Sequence, residues 1–353
     1  MAMIDEYLTA MLDRGGSDLH LITGLPAKIR VHGRLEPLME EPIDGELMEQ
    51  LLSEICPQLR WEHYLRHKDL DFAHEIPGVA RFRSNYLYNY FGQAAVFRQI
   101  PSKILTVEDL KLPEVLKDIC HIPSGLICVT GPTGSGKSTT LAAMIDYINV
   151  NESKHIITIE DPIEFVHQNK KSTLVHREVG IHSDSFARAL RGAMKSDPDI
   201  ILIGEMRDLE TIRLALTCAT MGMLVFATLH TNNAPKTIDR IIDAFPADQQ
   251  SQIRTMLAEA LQGVVSQLLC RTSDDKGRVA CHEVLLWTEG LPNTIREGQI
   301  SNIRSIIEGN KAVGMCSMDG NLMRLYNDGR ITANEAYMKA SDKKTFANLI
   351  NDV

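Results

Sequence analysis

The clearest chemistry in this chain lies between Gly131 and Thr139, which reads GPTGSGKST. Glycines at 131, 134 and 136 let a backbone curl until successive N–H groups point inward at anionic oxygens. A lysine after the last of them supplies a mobile positive charge for β- and γ-phosphates, and the next hydroxyl is a hard ligand for magnesium. Those roles fall to Lys137 and Ser138. The cradle itself is Thr133, Gly134, Ser135 and Gly136, continuing through Lys137 and Ser138 to Thr139. A glycine-rich turn that binds nothing has the same residue types, so the setting decides. The apolar run Gly125 to Thr130 precedes the loop, and Leu141 to Ile145, with helical spacing, follows it. A strand therefore feeds the loop and a helix N-terminus lies behind it, which predicts nucleotide binding.

Three further apolar runs end in groups that phosphoryl transfer needs. Thr158-Ile159 leads into Glu160, Asp161, Pro162, Ile163 and Glu164. Ligands of open α/β sheets lie at the carboxyl ends of strands, so these acids are expected near the phosphates, where a water must be oriented and a cation held. In isolation, three acids would be a solvated loop. Asp199 to Ile203 delivers Gly204 and Glu205. Four aliphatics with an acid at the tip form a Walker B arrangement, but Gly204 holds the usual aspartate position. Glu205 is thus the candidate magnesium group, partly through water. The next run delivers Thr228-Leu229-His230-Thr231, where His230 or its neighbours are placed to sense a γ-phosphate. Arg188, Arg191, Arg207 and Arg213 lie on helices near these tips. Structural ion pairs with Asp184, Asp208 or Glu210 are expected for some of them.

These groups need a scaffold. Strands at 125–130, 155–160, 173–177, 199–203 and 224–228 alternate with helices near 137–148, 184–195 and 207–221. The alternation predicts an α/β fold with a mostly parallel sheet. Beyond Pro246 a helix at 248–262 and a hairpin (264–269 with 279–286) lead to short helices. Residues 1–100 form an α+β domain: helices at Tyr7–Leu12 and Glu46–Ile55, the latter followed by the stretch 69–73, and strands at Leu19–Ile22, Ile29–Val31, Ala80–Tyr88 and Gln93–Ile100. His32-Gly33 is a tight turn. A linker at 101–112 and a nucleotide-binding domain at 113–353 complete the expected division. Arg81 and Arg83 share a strand face, with Arg98 on the next strand. Either they form a solvated cationic edge, or they are offered to a phosphate bound elsewhere.

Composition narrows the class. The 353 residues are 44% hydrophobic and 24% charged, a globular chain longer than one core. No apolar run approaches the about 20 residues that cross a bilayer, and Met1 to Glu6 lacks a signal-peptide pattern. The seven cysteines include no CxxC pair, so buried thiols of a reducing, cytoplasmic compartment are expected. A net charge of −9 and the lack of a basic run argue against nucleic acid.

With these pieces placed, the chain resembles, essentially end to end, the secretion ATPase superfamily of type II secretion and type IV pilus motors, and within it the pilus retraction ATPases. Gly16 to Leu21 is similar to the opening of the family's PAS-like N-terminal domain. Residues 131–146 are similar to its Walker A, and Glu160 to Glu164 to its Asp box. Asp197 to Asp208 matches its atypical Walker B, and Thr228 to Thr231 its His box. The resemblance implies a PAS-like α+β domain followed by a RecA-like P-loop ATPase domain with C-terminal helices, binding ATP and Mg2+. It implies catalytic roles for Lys137, Glu205, His230 and Glu164, the last as general base. It also implies that Arg81, Arg83 and Arg98 reach nucleotide held by a neighbouring subunit. The expected assembly is a homohexamer at the cytoplasmic face of the inner membrane, peripherally associated through the pilus machine. There ATP hydrolysis, coupled to interdomain movement, would act on an inner-membrane pilus platform protein to drive retraction and twitching motility.

Extension and secretion ATPases carry an extra N-terminal region and a four-cysteine zinc element. Neither is expected here, which favours the retraction branch. Two departures stand against the pattern: Met223 replaces the first histidine of the His box, and Gly290-Leu291-Pro292-Asn293 stands where the branch carries Ala-Ile-Arg-Asn. An assembly ATPase of a pilus or type II secretion system, or an accessory paralogue, is the alternative. From other classes, a RecA-like DNA translocase is disfavoured by the acidic charge, and a non-hydrolysing scaffold by the presence of both Glu164 and Glu205.

Overall fold

The computed structural model describes residues 2–101 and 103–351; Met1, Ser102 of the expected linker, Asp352 and Val353 lie outside the described residues. The chain divides into two units. One holds the residues up to Lys103 together with Asp161–Val166; the other holds Ile104–Glu160 and the chain from His167 onward. The sequence had suggested contiguous domains, whereas the segment 161–166 makes its contacts with the first unit.

The first unit runs α1 (Met3–Asp13), β1 (Asp18–Ile22), β2 (Pro26–Val31), β3 (Arg34–Pro42), α2 (Gly45–Ile55), α3 (Gln58–His67), β4 (Asp69–Ile76), β5 (Ala80–Asn89) and β6 (Gly92–Ile100). Its strands pair antiparallel in the order β3-β2-β1-β6-β5-β4. One sheet face is apolar. Leu19, Leu21, Ile29, Phe72, Phe82, Tyr86 and Phe97 are buried there in one cluster with Ile4, Leu8 and Met11 of α1 and Met48, Leu51 and Leu52 of α2. The i, i+4, i+7 spacing in α1 is what a helix needs to turn one stripe toward a sheet. Asp44 caps α2 by accepting from the Leu47 N–H at 2.8 Å. His32 and Gly33 both have positive φ (47° and 84°), as the tight β2–β3 turn requires. The other face carries charge: register sets Arg30 opposite Asp18, Asp18 opposite Arg98, and Arg98 opposite Arg83.

The second unit continues with α4 (Val115–Cys120), β7 (Gly125–Thr130), α5 (Lys137–Asn151), β8 (His155–Glu160), β9 (Thr173–Glu178), α6 (Phe186–Ala193), β10 (Ile200–Ile203), α7 (Leu209–Thr220) and β11 (Leu224–Leu229). Then come α8 (Ala234–Asp243), α9 (Ala247–Ala260), β12 (Leu261–Arg271), β13 (Arg278–Leu286), α10 (Leu291–Arg296), α11 (Ile303–Gly309), α12 (Met318–Asn327), α13 (Ala333–Lys339) and α14 (Lys343–Asn351). The sheet order is β13-β12-β7-β11-β10-β8-β9, parallel throughout except for the β12–β13 hairpin. Every residue of β7, β10 and β11 is buried, as expected of central strands covered on both faces. Alternate residues divide the core. Leu126, Cys128, Ile201, Ile203, Val225 and Ala227 pack with α6 to α9, whereas Ile127, Val129, Ile200, Leu202 and Phe226 pack with α4 and α5. Helices α12, α13 and α14 cover β12 and β13 around Cys270, Cys281, Leu322 and Phe346. Glu283 of β13 ties two helix starts together: it accepts from the Ala234 N–H of α8 at 2.8 Å and from the Met318 N–H of α12 at 3.4 Å.

All seven cysteines are free thiols. No helix of the described residues is long and apolar enough to cross a membrane. The sequence reading passed over α3, α4 and α8. Helix α3 buries only Tyr64, so it has no apolar stripe to detect. Helix α8 did carry signals: Asn233 accepts from the Lys236 N–H at 2.9 Å, a proline occupies the first turn, and Ile238, Ile241 and Ile242 form the buried face.

Candidate active site

The loop after β7 is moulded against β12. Gly131, Gly134 and Gly136 have φ of 149°, 76° and 86°. A Cβ at Gly131 would lie 2.3 Å from the Gln267 carbonyl oxygen and 2.5 Å from Ser135 Oγ; one at Gly136 would lie 2.8 Å from Gln267 Nε2. Glycine is therefore demanded by space as well as by conformation. Gly136 precedes the 15-residue α5 in the left-handed region and offers no capping side chain, so the positive end of the helix dipole faces the loop. Lys137 is buried and donates to the loop's own carbonyls, Gly131 O at 2.8 Å and Pro132 O at 3.1 Å. Ser135 Oγ is buried and lacks a hydrogen-bond partner, an orphan that a phosphate oxygen would satisfy. Ser138 and Thr139 are half-buried in the first turn of α5, while Thr133 and Gly134 are exposed at the loop's crest.

Gln267, which sequence reasoning missed, fastens the loop. Its Nε2 donates to Ser135 O at 2.7 Å, and its Oε1 accepts from Thr140 Oγ1 at 2.8 Å. His282 of β13 lies with Nε2 3.1 Å from the same Oε1. Burial holds the His282 pKa down at about 4, so the imidazole is neutral. Next to this trio, the Thr130 and Ser266 hydroxyls are 2.8 Å apart. The available signal was the polar pair Ser266-Gln267 set between the apolar pairs Val264-Val265 and Leu268-Leu269, separated from the loop by more than a hundred residues of chain.

Glu205 follows β10 and sits between two cationic or donating groups. Its Oε2 accepts from Arg207 Nη2 at 2.7 Å, and its Oε1 is 3.2 Å from His230 Nε2. Burial pushes the carboxyl pKa up, but hydrogen bonding and charge from Arg207 and His230 outweigh it and hold the group below 4.5. The carboxylate is thus ionised. The strand tips are cross-tied: the Thr228 hydroxyl donates to Gly204 O, and the Gly204 N–H donates to Ile159 O at 2.8 Å. A Cβ on Gly204 would stand 3.2 Å from Glu160 Cα and 3.3 Å from Ile159 O. This explains the departure from the Walker B pattern: at this tip β8 leaves little room for a side chain. Of the other arginines, Arg188 pairs with Asp184 at 2.6 Å and Arg191 with Glu210. Arg213 donates to Gln249, and Asp208 caps α7 through the Thr211 N–H at 2.9 Å.

Glu164 belongs to the first unit, where its Oε1 is 4.0 Å from Arg83 Nη1. Arg83 also grips Asp71 through Nε at 2.9 Å and Nη2 at 2.5 Å. Arg98 donates to Asp18 at 2.7 Å, and Arg81 lies 3.6 Å from Glu75 with its Nε and Nη1 making no hydrogen bond. Arg98 stands opposite Arg83, and Arg81 is two residues from Arg83, so all three share one sheet face. The loop, Lys137, Glu205 and His230 all belong to the second unit, with Glu205 and His230 in contact with each other.

A strand feeding a glycine loop, an uncapped helix start, a buried lysine and an ionised acid at the tip of β10, one strand removed across β11, define a P-loop nucleoside-triphosphate-binding protein. The model of a protein family described as type II/IV secretion system protein matches residues 1–318. A type IV pilus retractation ATPase, PilT, of Pseudomonas aeruginosa is 48% identical over 343 residues, covering 97% of this chain and 99% of that one. A twitching motility protein of Neisseria gonorrhoeae is 47% identical over 90% of this chain and 85% of its own length. A crystal structure of the pilus retraction motor PilT with bound ADP superposes with a TM-score of 0.89 at 41% identity, covering 99% of each chain. The chain belongs to the type II/IV secretion system protein family.

Proposed function

We propose that this protein is an ATPase motor that powers type IV pilus retraction and thereby twitching motility. The observation that carries the reading is the phosphate loop moulded on β12, with Lys137, Glu205 and His230 in the same unit, in a chain similar end to end to pilus retraction ATPases. The Gly134-to-Thr139 N–H groups cradle the nucleotide phosphates, and Lys137 exchanges its two loop carbonyls for phosphate oxygens. His230 and Arg207 keep Glu205 ionised. Glu164 serves as the general base that orients the attacking water.

Magnesium fits the donor set. Ser138 offers a hydroxyl and Glu205 a carboxylate, both hard oxygens. Among the described residues no group of three or more His, Cys, Asp or Glu side chains could hold a metal alone, so the ion would be shared with the phosphates. When bound, it neutralises charge on the transferring group.

The first unit is read as the PAS-like domain and the second as the RecA-like domain, working as a homohexamer at the cytoplasmic face of the inner membrane. Arg81, Arg83 and Arg98 present one face of the first unit to nucleotide on a neighbouring copy, and interdomain movement acts on an inner-membrane platform protein. The stretch that departs from the retraction signature, Gly290 to Asn293, forms the start of α10, where Leu291 is buried. Deleting the whole chain tests the reading: surplus, immobile pili are expected. Loss of pili instead would assign the chain to assembly.

A further inference from the structure

We propose that Gln267 is a positioning residue for the phosphate loop and that His282 holds it in its working orientation. The proposal rests on the reading of this loop as an ATP site and adds to it the part that sets the loop's shape.

The hydrogen bonds determine the arrangement. Ser135 O can only accept, so the amide nitrogen of Gln267 must face it, as the 2.7 Å contact has it. Gln267 Oε1 then needs donors, and it finds the Thr140 hydroxyl at 2.8 Å and His282 Nε2 at 3.1 Å. Neutral His282 is thereby the tautomer protonated at Nε2. Gln267 and His282 are each 2% exposed, so water does not substitute for any of these partners. The backbone N–H of His282 donates to Asn321 Oδ1 of α12 at 3.4 Å, which ties this point of β13 to the helix.

The consequence for the loop follows from peptide planarity. The C=O of residue 135 and the N–H of residue 136 point in opposite directions across one trans peptide. Holding Ser135 O against β12 therefore aims the Gly136 N–H away from β12. Gly136, with φ of 86°, has no Cβ to resist rotation of that peptide. Backbone geometry alone does not fix it, and the glutamine does. Thr140 carries the same restraint into the first turn of α5, so the loop and the helix start are held as one piece.

Kinetics separates this role from simple support of the fold. Loop amides bind the phosphates of substrate and product alike, so misaiming one weakens ground-state and transition-state binding together. Gln267→Leu should raise the ADP dissociation constant and the KM for ATP about tenfold, the size expected when one loop amide no longer meets its phosphate oxygen. Its kcat should stay within about twofold. His282→Leu should move KM in the same direction by about threefold, and His282→Gln, which keeps an N–H donor, should restore it. A residue that only supported the fold would lower the active fraction, cutting apparent kcat with KM unmoved. Thr140→Val keeps the shape, removes one donor to Gln267, and serves as the test should the larger change impair folding. Unchanged KM and ADP affinity in Gln267→Leu, or in Thr140→Val where that variant stands in, would overturn the proposal. Normal ATP turnover by Lys137→Ala would instead sink the underlying assignment of the site.

Discussion

Gly204 offers a direct test of why the acid at the tip of β10 comes one residue late. Its backbone is not in the left-handed region, so an alanine there is disfavoured by space alone. The added methyl would meet Glu160 Cα at 3.2 Å and Ile159 O at 3.3 Å, both backbone atoms that no rotamer change can move. Strands β8 and β10 are in direct parallel register, with Ile203 opposite Ile159. Relief therefore means parting the strand tips by a few tenths of an ångström. Overpacking of this kind costs about 1–3 kcal/mol. For a unit of this size it would lower the melting temperature by roughly 2–10 °C. The same displacement pulls Glu205 from His230, which now lies 3.2 Å away. Small misplacements of catalytic groups cost disproportionately, so kcat of Gly204→Ala should fall about tenfold with ADP binding nearly unchanged. Thermal melts and steady-state ATP hydrolysis on the purified variant measure both effects. If Gly204→Ala melts and turns over like wild type, or Gly204→Asp hydrolyses faster, lack of room at the strand tip is not why glycine stands there.

Further outcomes are expected. Lys137→Ala should lose most ATP hydrolysis, by about a hundredfold or more, while its circular dichroism and melting stay close to wild type. Glu164→Gln should bind Mg-ATP yet hydrolyse it about 100- to 10,000-fold more slowly; rapid turnover would move the base role to another carboxylate. Acid sensitivity should track buried imidazoles. The folded-state pKa of His282 is about 4 against an ordinary 6.5, so its contribution to stability is full above 6.5 and is lost as pH falls toward 4. The difference corresponds to about 3 kcal/mol at most. His167, also buried and near 4, acts in the same direction. His282→Gln should then remove about half of the fall in stability measured by denaturant titration between pH 7 and 4; an unchanged fall would show that His282 titrates normally.

The elements that carry the loop could be read from the chain because their residue patterns are local. Gly125 to Thr130 is apolar throughout, and every residue of β7 is buried. The same holds for β10 and β11, whose tips place Glu205 and His230 together. What escaped was contact between distant segments. The polar pair Ser266-Gln267 marks a place worth a look, but its spacing does not say that the glutamine holds a loop 132 residues earlier in the chain. Arg207 looked like one more helical arginine, yet it donates to Glu205. Glu164 looked like part of a loop in the nucleotide domain, whereas its segment packs with the residues up to Lys103. Pattern reports which face of an element is apolar; it does not report which polar side chain will reach across to another element.

Glu283 bears on how such motors can be recombined. One carboxylate terminates the N–H rows of both α8, which follows His230, and α12, which opens the C-terminal helical cover. A hybrid protein spliced anywhere between residues 286 and 318 would take the acid from one parent and one of its two helix starts from the other. Unless the incoming helix presents its first amide at the same point, a buried acid is left half-satisfied. Burial already raises the pKa of this carboxyl, so the mismatch would favour its protonation. Exchanges of the C-terminal cover between relatives should therefore cross over ahead of α8, carrying α8, the hairpin and the C-terminal helices as a single block.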